Sequence, residues 1–118
     1  MRTEATGNSQ IEVHASATVL RDRAEITVNV FCIAAGCPSL VLLYLNGPGK
    51  ATVRHERDVK TLSPGDGVVV NNCMCTHPEF FEVRVDRKGV YAFAAIVGKI
   101  EGDVIKSYDQ ANILLVFN

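Results

Sequence analysis

The chain has 118 residues, 47% of them apolar, 7% aromatic and none tryptophan, with a formal net charge of -1. That length holds one domain, and the apolar content excludes intrinsic disorder. The charge argues against a nucleic-acid binder, because Arg54/Arg57/Lys60 and Arg84/Arg87/Lys88 are small groups and Glu82 and Asp86 offset the second.

Residues 1–10 are small and polar and lack the apolar centre of a signal peptide, so they read as a flexible tail before a single domain over 11–118. Ile11, Val13 and Ala15 alternate with Glu12 and His14, which predicts a first strand from residue 11 to about 20, ended by Arg21-Asp22-Arg23. A second strand spans 24–32, with Ile26, Val28, Val30 and Cys32 on one face and Glu25, Thr27 and Asn29 on the other. Residues 40–45 are apolar almost throughout and fit a central strand between Pro38 and Asn46-Gly47-Pro48-Gly49. The run 51–59 alternates and predicts one wet or edge strand. Leu62-Ser63-Pro64-Gly65-Asp66-Gly67 is a turn, and Val68-Val69-Val70 opens a strand toward Cys75 that His77-Pro78 breaks.

Phe81, Val83 and Val85 share one face of the next strand, which turns at residues 86–89. The segment 90–97 is the most apolar strand, with Tyr91, Phe93, Ala95 and Val97 inward. Residues 98–110 read as a long connection holding a Glu101-Gly102-Asp103 turn and a short extended Val104-Ile105, before a last strand over 111–117. No stretch of ten residues has a helical period. Seven or eight mostly antiparallel strands predict an all-β, two-layer β-sandwich, with a jelly roll or small barrel as the alternative.

The turn and strand order resembles immunoglobulin-like β-sandwich modules, especially those related to fibronectin type III and to bacterial and archaeal cell-adhesion-related domains. Leu62-Ser63-Pro64-Gly65 before a strand, Gly89-Val90-Tyr91 at the entry to the penultimate strand, and Asp86 ahead of the tyrosine carry the resemblance. It spans roughly 12–117, without the usual core tryptophan. It implies a spacer, adhesion or assembly role.

Cys32, Cys37, Cys73 and Cys75 permit two disulfides by any of three pairings, or stay as packed thiols. Cys73, Cys75 and His77 occupy alternate positions and share a face if the strand continues; with Cys37 they offer a shell for zinc or copper. His14 and His55 read as solvated strand residues, and Glu101 with Asp103 supplies too few oxygens for calcium. There is no Gly-rich phosphate cradle, no nucleophile elbow and no base beside Cys37, so a protein without cofactor or catalysis is expected.

Residues 40–45, 90–97 and 113–117 are apolar on both faces, which an isolated sandwich does not require. Leu42, Tyr44, Ile96, Leu114 and Val116 are therefore expected to form a second buried surface with another subunit or domain. The expected function is a self-associating protein-interaction or assembly module, with no nucleic-acid partner and no membrane span. A small metal-binding or thiol-redox protein using the Cys-x-Cys-x-His run is the alternative, and a carbohydrate or other ligand-binding module is a third reading. The compartment expected is cytoplasmic if the chain is full length, and extracellular or cell-surface if it is a mature or excised domain.

Overall fold

The computed structural model describes residues 2–5, 11–32, 39–72 and 78–118. Ten strands run through them: β1 (Arg2–Ala5), β2 (Ile11–Val19), β3 (Ala24–Cys32), β4 (Ser39–Asn46), β5 (Ala51–His55), β6 (Asp58–Leu62), β7 (Gly67–Asn72), β8 (Glu79–Val85), β9 (Gly89–Glu101) and β10 (Val104–Phe117). They form two five-stranded sheets, ordered β1-β10-β9-β4-β7 and β2-β3-β8-β5-β6. Every pairing is antiparallel except β1 with β10. Both sheets keep open edges, so the architecture is a two-layer sandwich and not a barrel.

Period-two alternation builds the core. Ile26, Val28 and Val30 of β3, Val53 of β5, and Phe81 and Val83 of β8 face Val41, Leu43 and Leu45 of β4 and Tyr91, Phe93, Ala95 and Val97 of β9. All are almost fully buried. Burial of each large side chain stabilises by about 1.5–3 kcal/mol before conformational entropy is counted.

Three expectations change. Residues 2–5 are a strand, because the parallel partner offered by the first residues of β10 decides their conformation and no local pattern does. Residues 51–59 are two strands, joined at Glu56-Arg57 with Glu56 at φ 55. That turn lacks the Gly or Asn by which two-residue hairpins are recognised. Residues 98–110 belong to the long β9–β10 hairpin, whose two-residue turn holds Gly102 at φ 65. Lysines on both arms and one irregularity hide its period.

That irregularity is a bulge: the β9–β10 register shifts between Ser107 and Asp109, leaving Tyr108 as the extra residue. Before it, Ile105 faces outward and packs with Leu42 and Ile96 in a second cluster. After it, Ala111, Ile113, Leu115 and Phe117 face the main core. One inserted residue exchanges the two faces of the strand. It also aims Asp109 across the layers, where Oδ2 accepts the Val13 N–H of edge strand β2 at 2.8 Å.

The link from β4 to β5 crosses between sheets at Gly47-Pro48-Gly49, against the Tyr91 ring. A Cβ at Gly47 would lie 2.3 Å from Tyr91 Cδ1, and one at Gly49 2.3 Å from Asp86 Oδ1. The Tyr91 hydroxyl donates to the Arg87 carbonyl at 2.5 Å, and its ring meets Phe117 edge-on at 5.5 Å. Lys50 N–H donates to Asp86 Oδ1 at 2.9 Å, and Asp86 N–H donates to the Lys50 carbonyl at 3.1 Å. Burial raises the Tyr91 phenol above its ordinary 10.0, and the Asp86 carboxylate adds to the shift.

Tyr91→Phe should lower stability by about 1 kcal/mol at pH 7 in urea unfolding, through the lost hydrogen bond. The folded state holds the Tyr91 proton more tightly than the unfolded chain, so this stabilisation is complete below pH ~10 and is lost as pH climbs through the raised value. The gap between wild type and Tyr91→Phe should therefore narrow above that pH, and a gap constant with pH contradicts the corner as described. Gly47→Ala should cost about 1–3 kcal/mol, because the ring behind it is fully packed.

Candidate metal centre

His55 closes β5 and Glu79 opens β8. Both occupy inward positions of the alternation, at the place where the inner face of their sheet runs out. The ladder pairs Val53 with Val83 and Arg54 with Glu82, which carries His55 over Phe81 with ring centroids 5.1 Å apart. His55 Nε2 meets Glu79 Oε2 at 2.6 Å, with the side chains 12% and 8% exposed. So little water strengthens the contact, and Glu79 and Ser107 are the buried polar residues among those described. The turn then adds Glu56: one ligand atom from each of His55, Glu56 and Glu79 lies within 4.8 Å of the others.

One imidazole nitrogen and two carboxylates make a partial shell for a divalent ion. Bonds of about 2.0–2.2 Å in a tetrahedral site place ligand atoms roughly 3.3–3.6 Å apart. The 2.6 Å contact would open and the widest separation would close, each by about 1 Å. A rotamer change of the exposed Glu56 closes the wider separation, whereas the short one opens only if the His55 ring or the Glu79 carboxylate rotates.

The structure places the other expected site residues as follows. Cys37, Cys73, Cys75 and His77 lie outside the described residues, as does the side chain of Cys32 at the end of β3, so the disulfide and Cys-x-Cys-x-His readings fall there. In the sequence His77 stands two positions before Glu79. His14 is solvent-exposed, 3.2 Å from Glu12 Oε2 and edge-on to Phe31. His55 is not the solvated strand residue expected; the Phe81 ring and Glu79 enclose it. No local signal reveals this pair, because its members are 24 positions apart and only the β5–β8 pairing unites them.

Of the five expected interface residues, Leu42 and Ile96 are buried with Ile105 and Tyr44 is half-buried. Leu114 and Val116 are exposed, at 71% and 48%. Outward on β9, the small Ala92 and Ala94 lie between Leu114 and Asn112 of β10 and Asn46 and Tyr44 of β4. These six residues line a shallow groove of about 410 Å³ with Leu114 as its ridge. Among the described residues no helix is long and apolar enough to cross a membrane.

No family model matches the chain, and no curated protein resembles it in sequence. In fold it is similar to the crystal structure of a conjugative transposon lipoprotein from Bacteroides eggerthii. The two are 13% identical with a TM-score of 0.60, over 94% of this chain and 99% of that one. At that identity the likeness is one of fold: two β-sandwiches of nearly equal extent.

Proposed function

We propose that this domain is a non-enzymatic binding module that takes up a divalent transition-metal ion at His55, Glu56 and Glu79. The observation that carries the reading is the His55–Glu79 contact, an enclosed imidazole and carboxylate with a second carboxylate inside 4.8 Å. An imidazole ligand favours zinc or copper over calcium and magnesium, which prefer oxygen shells.

Two features support an immunoglobulin-like identity for the sandwich. The neighbours β2-β3-β8-β5 and β4-β9-β10 repeat the seven-strand order of a constant-type immunoglobulin domain, with β6 and β7 as an excursion before β8. The Tyr91 hydroxyl bonded to Arg87 matches the tyrosine corner of such domains. Likeness to a lipoprotein domain supports an extracellular or cell-surface location.

A second reading, self-association, rests on the outward groove of the β10-β9-β4 face. Its occupant in this reading is a second copy of the chain, whose Leu114 would seat in the trough at Ala92 and Ala94 about a twofold axis.

Calorimetric titration with zinc should show one site per chain, and bound zinc should raise the melting temperature. His55→Ala and Glu79→Gln should each weaken binding at least ~10-fold. Unchanged affinity in both variants, or a loss confined to Cys73→Ser, Cys75→Ser and His77→Ala, overturns this site. For the second reading, light scattering should give a dimer that Leu114→Lys dissociates; a wild-type monomer at high concentration removes it.

A further inference from the structure

Resting on the metal reading above, we infer that Glu56 is the ligand that sets the affinity of the site, and that the strained turn carrying it is kept for that carboxylate. His55 pairs with Asp58, so Glu56 and Arg57 alone make the β5–β6 connection. The first loop position sits at φ 55, in the left-handed region where a Cβ is penalised. Elsewhere among the described residues the chain gives positive φ only to glycine, at Gly65, Gly89 and Gly102. A two-residue hairpin accepts Gly or Asn here without strain.

Nothing in the packing explains a glutamate at this position. Glu56 is exposed, and its carboxylate has no hydrogen-bond or ion-pair partner among the described residues. It nonetheless stands within 4.8 Å of the ligand atoms of His55 and of the buried Glu79. Two carboxylates held that close repel, and a divalent cation between them reverses the sign of the interaction. With Glu56 the described residues offer three ligands, two of them carboxylates, of the four a tetrahedral ion takes. Without Glu56 the described residues offer the His55–Glu79 pair, a smaller shell that holds a metal less tightly.

Opposite effects on stability and affinity test the inference. Stripped of metal by chelator, Glu56→Gly should melt roughly 3–6 °C above wild type, because the strain is gone. The same variant should bind zinc at least ~10-fold more weakly in calorimetric titration. Glu56→Gln relieves the carboxylate repulsion but keeps the strained backbone, so it should weaken zinc binding and raise the metal-free melting temperature less than Glu56→Gly does. If both variants bind zinc as wild type does while His55→Ala and Glu79→Gln do not, the metal site stands and the role of Glu56 falls. Failure of Glu56→Gly to raise the metal-free melting temperature also overturns the strain argument. A wild-type chain that takes up no zinc removes the metal reading itself, and this inference with it.

Discussion

The two hydrogen bonds exchanged by Lys50 and Asp86 fix the register on which both the core and the candidate site depend. The Asp86 N–H bond extends the β5–β8 ladder one step past Ala51–Val85, and the Asp86 carboxylate adds the second bond, at the end opposite His55. A slip of one residue there would turn Val53 and His55 outward and send Thr52 and Arg54 into the core. The clamp is itself backed by close packing, since Gly49 admits no Cβ beside Asp86 and the Tyr91 ring fills the space behind Gly47. Turn chemistry at one end of the sandwich therefore decides which side chains meet at the other.

The two candidate binding surfaces differ in how the fold makes them. The His55–Glu79 pair is a contact within one sheet, made between the last inward residue of one strand and the first of its neighbour. The groove is a matter of side-chain size. Alanines at 92 and 94 face outward between bulkier neighbours, while Tyr91 and Phe93 on the same strand fill the interior. Strand β9 thus serves the core with its large residues and shapes the surface with its small ones.

Much of the architecture was legible in the sequence, and most of the chemistry was not. Strands β3 and β8, and the inward set Tyr91, Phe93, Ala95 and Val97, follow from alternation, because their burial is decided residue by residue, and β4 follows from a short apolar run between turn residues. The Pro64-Gly65 turn was equally readable: Gly65 takes φ 94 and Asp66 N–H returns to the Ser63 carbonyl at 2.9 Å. The β5–β6 turn was not, since Glu56 is a poor residue for the backbone it adopts. The first half of β10 was obscured because Tyr108 breaks the period that would have revealed it. His55 looked like an ordinary solvated strand residue and Glu79 stood ahead of the strand that alternation marks from Phe81, and only pairing at long sequence separation gives them a common meaning.

The bulge at Tyr108 divides β10 into two reading frames. Ile105 and Leu115 are both buried and both odd-numbered, yet they serve opposite layers of hydrophobic packing. A single-residue deletion near residue 108 would merge the frames and turn one arm of the hairpin inside out, while leaving the composition almost untouched. Length here carries structural information of its own, since the count of residues decides which face each half of the strand presents.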